Sequence, residues 1–189
     1  MQIIRFAELR AEPWRNGGGV TREIARQGSE DGGFDWRVSI ADVAKAGDFS
    51  AFLGMERVLT VIDGELLLLT VDGAEHPLEK YRPYRFDGGA ATTAKLPTGD
   101  IRDLNVITRT AAYRGYTSII ELSKKRAHPV FEGQFGVLLQ GQAKASQGGG
   151  EPVVLGRYDA VMGSDADSPE ILGRGFLAVV SIDPMDPAA

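Results

Sequence analysis

Arg57-Val58-Leu59-Thr60-Val61-Ile62-Asp63-Gly64-Glu65-Leu66-Leu67-Leu68-Leu69-Thr70-Val71 is the stretch that decides the fold class. It reads as two short, β-branched or leucine-rich strands broken by Asp63-Gly64, and Asp72-Gly73 follows as a second turn. Asp-Gly tolerates the positive φ of a tight hairpin, so the stretch predicts a meander. The same grammar continues on both sides. Trp36–Ala41, Tyr84–Phe86, Asp103–Thr108, Tyr116–Leu122, Phe135–Leu139, Pro152–Leu155, Ala160–Met162 and Phe176–Ile182 read as strands. Strands at this spacing, with 24 glycines between them, predict an all-β sandwich or barrel. Only Phe6–Leu9 and Ser168–Leu172 read as short helices or turns, and the tail Asp183-Pro184-Met185-Asp186-Pro187 is expected to fray.

A shift of 77 positions lays Val61-Ile62-Asp63-Gly64 on Leu138-Leu139-Gln140-Gly141 and Leu78-Glu79-Lys80-Tyr81 on Leu155-Gly156-Arg157-Tyr158. Two blocks at one ungapped offset indicate an internal duplication, with chance likeness between hairpins as the rival account.

The 189 residues suffice for one sizeable core or two small fused ones. A net charge of −5 argues against a nucleic-acid surface, which needs a basic face. With no cysteine, disulfides, thiolate metal sites and Cys nucleophiles are excluded. The apolar run Val58–Val71 is too short and too polar to span a bilayer, and the N-terminus lacks a signal-peptide apolar region. A cytoplasmic protein is expected.

Three segments carry polar residues in places that invite chemistry. The first is Trp14-Arg15-Asn16-Gly17-Gly18-Gly19-Val20-Thr21-Arg22-Glu23-Ile24. Successive glycines allow close backbone approach and can form an anion-binding nest, or they can be a plain flexible loop. Alternation then sets Thr21 and Glu23 on one face of the following strand. The second segment, Asp35–Ala41, puts Arg37, Ser39 and Ala41 on one face. Arg37 is either solvated on the outside or buried and in need of an anion. In the third, Asp103, Asn105 and Ile107 share a face, and an Asn inside a strand points to a specific hydrogen bond.

These blocks resemble the signature of the HutD/Ves family. The resemblance rests on WRNGGGVTREI (14–24), WRVSIADV (36–43), GDFSAFLGMERVLTVIDG (47–64), the aromatic-Phe-Asp-Gly-Gly stretch Tyr84–Gly89, and DLNVITR (103–109), in order. It implies a bicupin: two fused small β-barrels of double-stranded β-helix type from one chain. Residues 1–109 would form the first barrel with the pocket and 110–189 the second, with strand exchange between them allowed. It also implies a cytoplasmic accessory role tied to histidine utilisation, with a ligand such as N-formylglutamate, and it establishes no catalytic reaction.

Metal-binding cupins carry His-x-His, a short spacer, Glu, and a turn Gly. Counting back from Gly64, the Glu position holds Arg57 and the His positions hold Ser50 and Phe52. In the second copy they hold Gln134, Ala127 and Pro129, and His128 fits only a shorter spacer. Arg and Phe cannot coordinate a metal, so no metal and no cofactor are expected. An Arg where a carboxylate would stand reverses the charge preference toward a carboxylate ligand. Alternatively Arg57 pairs with Glu23 or Asp103.

The expected partner is therefore a small acidic molecule, with neither nucleic acid nor membrane, and a homodimer is left open. Its site would draw on Trp14, Asn16, Gly17, Gly18, Thr21, Glu23, Arg37, Ser39, Arg57 and Asn105, with Gly19 granting close approach. If the protein were an enzyme, Glu23 or Asp103 would be the general base. A third reading is an interaction module with a vestigial pocket.

Overall fold

The computed structural model describes residues 1–185. Apart from a 3-10 turn at Phe6–Glu8, every regular element among them is a strand. In chain order these are β1 (Gln2–Ile4), β2 (Glu12–Pro13), β3 (Gly19–Gly28), β4 (Phe34–Val43), β5 (Gly47–Phe49), β6 (Met55–Asp63), β7 (Leu66–Val71), β8 (Ala74–Glu79), β9 (Tyr84–Asp87), β10 (Thr92–Lys95), β11 (Ile101–Arg109), β12 (Tyr113–Leu122), β13 (His128–Pro129), β14 (Gln134–Ser146), β15 (Val153–Leu155), β16 (Ala160–Met162) and β17 (Glu170–Pro184). Among the described residues no helix is long and apolar enough to cross a membrane.

The chain forms two compact units. One is built on Arg10–Gly115; the other joins Met1–Leu9 to Tyr116–Ile182. The division expected at 109/110 falls instead after Gly115, Asp183–Met185 return to the first unit, and Met1–Leu9 go with the second. The cause is local. β1 pairs antiparallel with β16, and Arg5 donates to the Asp159 carboxylate at 2.6 Å.

The Arg10–Gly115 unit holds two antiparallel sheets, ordered β2-β3-β4-β11-β6-β9 and β5-β10-β7-β8. Ala41, Val43, Leu59, Val61 and Ile101 of the first pack with Leu67, Leu69, Leu78 and Ala94 of the second in one buried cluster. Because strand side chains alternate, this cluster continues along the same sheet face into Arg37, Ser39, Arg57 and Asn105. One face is thus apolar at one end and polar at the other.

The meander expected at Arg57–Val71 forms only in part. β7 and β8 make a two-residue hairpin, with Asp72 at φ 47° and Gly73 at φ 83°. At Asp63-Gly64 the flanking strands do not pair: β6 lies between β11 and β9, while β7 lies between β10 and β8. Here only the glycine has positive φ, 80°, and Asp63 stays in its strand opposite Arg102. The turn passes the chain from one sheet to the other. A type I′ hairpin needs positive φ at both central residues, which Asp72 and Gly73 supply and Asp63 and Gly64 do not.

Two smaller expectations also change. Ser168–Leu172 is not helical, because Glu170–Leu172 open β17 and pair with β14, with Ile171 fully buried. Asp183 and Pro184 end β17 instead of fraying, and Asp186 and Pro187 lie outside the described residues.

The 77-residue repeat has a backbone counterpart. Tyr81 donates its N–H to Val61 O at 2.8 Å, and Tyr158 donates to Leu138 O at 2.6 Å. Both tyrosines adopt the left-handed conformation, φ 65° and 69°, which a bulky side chain rarely takes. Lys80 lies over the Tyr81 ring at 5.0 Å and Arg157 over the Tyr158 ring at 4.7 Å. Each relation recurs 77 positions on, so the repeat seen in the sequence is also a repeat of local backbone geometry.

Candidate functional site

The polar end of the six-stranded sheet opens into a cavity of about 530 Å3. That is the size of a small-metabolite site. β3 supplies Thr21 and Glu23, β4 supplies Arg37 and Ser39, β6 supplies Arg57, and β11 supplies Asn105 and Ile107. Trp14 and Asn16 come from the loop between β2 and β3; Phe49, Ser50 and Phe52 close the other side.

Arg57 dominates the floor and is 5% exposed. Its Nη2 donates to Asn105 Oδ1 at 2.8 Å and its Nη1 to Ser50 O at 3.4 Å. Its guanidinium lies 5.2–5.5 Å from the ring centres of Phe86, Phe49 and Phe52. Arg37 lies 5.0 Å from the Phe34 ring centre and 5.4 Å from Phe52, so the Phe52 ring is shared by two cations. Neither arginine has an ion pair among the described residues, and the Nε of each is buried without a hydrogen-bond partner. Burial pushes Arg57 down to about 10, opposed by the charge of Asp103 and assisted by Arg37. Arg37 is lowered by burial too, against Glu23 and Glu12. Both remain cationic at neutral pH.

Behind Asn105 lies Asp103, fully buried. Asn105 donates its amide Nδ2 to Asp103 Oδ1, and Asp103 Oδ2 is buried with no partner. Burial raises the carboxyl to about 7; Arg57 and the Asn105 hydrogen bond pull it back. The direct pairing of Arg57 with Glu23 or Asp103 does not form. Glu23 instead faces Arg26 at 3.7 Å, and Asn105 stands between Arg57 and Asp103.

The structure brings eight of the expected site residues to one cavity: Trp14, Asn16, Thr21, Glu23, Arg37, Ser39, Arg57 and Asn105. Gly17 and Gly18 lie outside its lining, and they form no anion nest. Gly17 N–H donates to Trp14 O at 3.0 Å and Gly18 N–H to Asn16 Oδ1 at 2.9 Å, so both donors are spent inside the loop. Gly19 is required because a Cβ there would stand 2.5 Å from Asp42 O and 3.0 Å from the Trp14 ring. The glycines therefore shape the loop that presents Trp14, whose Nε1 donates to Thr21 Oγ1 at 2.8 Å and whose ring meets Phe49 edge-on. Asp103 does not line the cavity, which removes it as a base in contact with ligand.

Phe49 and Phe52 were not among the expected site residues. The signal was present: the count back from Gly64 lands on Ser50 and Phe52, and both line the cavity with Arg57. These residues do not fit a metal ion, because the position of the cupin carboxylate holds a guanidinium. Among the described residues no group of three His, Cys, Asp or Glu side chains is arranged for one.

The HutD family model matches residues 6–179. An uncharacterised 21.2 kDa protein in the hutC 3' region of Pseudomonas putida is 35% identical, over 92% of this chain and 90% of its own. Protein Ves of Citrobacter koseri is 40% identical over 58% of each chain. The solved structure of HutD from Pseudomonas fluorescens, in a formate condition, is 31% identical with a TM-score of 0.81, covering 97% of this chain and 98% of that one. A cupin barrel-domain protein from Leptotrichia buccalis, 8% identical with a TM-score of 0.64 over 97% and 96% of the chains, shares the fold alone. On this evidence the chain, an all-β protein of cupin-like fold, belongs to the HutD family.

Proposed function

We propose that the cavity binds a small metabolite through a carboxylate, without a metal, and that the protein serves histidine utilisation in an accessory or regulatory role. In this reading the two units are two cupin barrels of one chain, and the first holds the ligand. The observation that carries it is the pair of guanidiniums, Arg37 and Arg57, each with a buried unpartnered Nε and no ion pair. Like charges around one aromatic ring, Arg57 buried and Arg37 half-buried, are costly unless an anion joins them. A carboxylate can take two parallel N–H donors from one guanidinium. Asn16 and Ser39 supply polar contacts for an amide or formyl group, and Trp14 an apolar wall. N-formylglutamate has each of these parts.

Thermal-shift measurements with N-formylglutamate, glutamate, urocanate and a neutral amide test the reading. Saturating acid should raise the melting temperature by several degrees, since a ligand at 100 times its Kd adds about 2.7 kcal/mol. No shift with any acid, or an equal shift with the neutral amide, would refute it. An enzymatic reading has one observation in its favour: Glu23 lines the cavity beside Arg37 and could act as a base. Turnover by the protein alone, lost in E23Q, would select it.

A further inference from the structure

We propose that the cavity takes up its carboxylate ligand together with a proton, held on Asp103. This rests on the reading of the cavity as a carboxylate site. Asp103 is wholly enclosed, one of its oxygens has no partner, and its other oxygen receives the Asn105 amide. The same Asn105 accepts from Arg57, so a three-residue chain runs from the cavity floor into the sheet. Val61 and Ala41 face Asp103 from β6 and β4, and both are apolar. The charges that act on it are Arg57 from β6 and Asp42 from β4, while Asn105 contacts it along β11. Asp42 is itself held by Arg22 of β3 and Arg102 of β11. Arg57 is thus the cation that favours ionised Asp103.

A ligand carboxylate on Arg57 offsets that cation and adds a negative charge nearby. Both effects favour protonated Asp103, so its carboxyl, already at about 7 through burial, rises further in the complex. The sign follows: binding takes up a proton wherever free Asp103 is ionised, and affinity falls as pH rises above about 7. The ligand's own carboxylates titrate near pH 4, far below this window. No histidine lines the cavity.

The experiment is calorimetric titration of the full chain with N-formylglutamate, from pH 6 to 8.5, in MES–HEPES and in bis-tris–Tris, two buffer pairs of different ionisation enthalpy that contain no phosphate. The expected affinity is level near pH 6 and falls by up to about tenfold per pH unit above 7. The two buffers should differ in heat by the uptake of about half a proton at pH 7. D103N, which cannot ionise, should bind with the same affinity across the range and show no buffer difference. Binding that is pH-independent and buffer-independent in the unmodified protein overturns the proposal and leaves the carboxylate site standing. An unchanged pH profile in folded D103N also overturns it. Absence of binding at every pH overturns the carboxylate site and this inference with it.

Discussion

Arg57 donates to Asn105 at 2.8 Å, and Asn105 in turn donates to Asp103, so a neutral amide separates a buried cation from a buried acid. Had the two charges met directly, they would have neutralised one another and left the cavity floor without attraction for an anion. Asn105 keeps Arg57 oriented but charged.

This arrangement makes N105D a sharp test. A carboxylate at position 105 would contact Arg57 directly and compete with any ligand. The variant is expected to keep its fold and to lose ligand-induced stabilisation at pH 8, as read by thermal shift with N-formylglutamate. Full stabilisation in folded N105D would show that the ligand does not use Arg57.

Arg57→Met removes a buried charge that lacks an ion pair. Its unfolding free energy should be unchanged or higher by up to about 2 kcal/mol, because the substitution removes a desolvation penalty that no ion pair offsets. Ligand-induced stabilisation should vanish in the same variant. Urea denaturation checks the first expectation; a loss above about 3 kcal/mol would mean that the guanidinium holds the fold instead of serving a ligand.

Asp103 sets a pH dependence of stability even without ligand. Its folded carboxyl titrates at about 7, above the ordinary 3.8. A raised acid favours the fold fully only below its unfolded value, and that contribution is lost as pH rises through the folded value. The stability of the natural chain relative to D103N should therefore fall between about pH 4 and pH 7 and level off above. A difference that stays flat over this range would contradict the burial argument.

The two Asp-Gly turns should respond differently to alanine. At Gly73 φ is positive but the space is open, so Gly73→Ala should cost about 1 kcal/mol of backbone strain. At Gly64 an added Cβ would also stand 2.7 Å from Asp100 O and 2.8 Å from the Ile101 side chain. Gly64→Ala should cost clearly more by urea denaturation; equal costs would show that the sheet-crossing turn relaxes freely.

Much of the cavity was legible in the sequence because strand alternation has a fixed period. Arg37 and Ser39 share a face, as do Thr21 and Glu23, and once β4 and β11 pair, Ser39 stands opposite Asn105. Which face turned inward was not legible for Arg37, since period two gives the pattern and not its direction. The sheet crossing at Gly64 was not legible, because Asp-Gly suits both a hairpin and a corner and only long-range pairing decides. Phe52 was legible only through the count back from Gly64, because it lies beyond the end of β5 where no periodicity marks a face, and Phe49 ends a strand too short to show one. The glycine triplet was legible as special, but the Gly17 and Gly18 donors are consumed locally by Trp14 and Asn16, which only the three-dimensional structure reveals.

Calorimetric titration of N-formylglutamate into the unmodified chain and into Arg57→Met, both at pH 6.5, tests the carboxylate site most directly. The expected result is one ligand per chain in the first and an affinity lower by about a hundredfold or more in the second, the effect of removing one partner of a buried charged contact. Equal affinity in the two proteins, or no binding to the unmodified chain, would contradict a site built on Arg57.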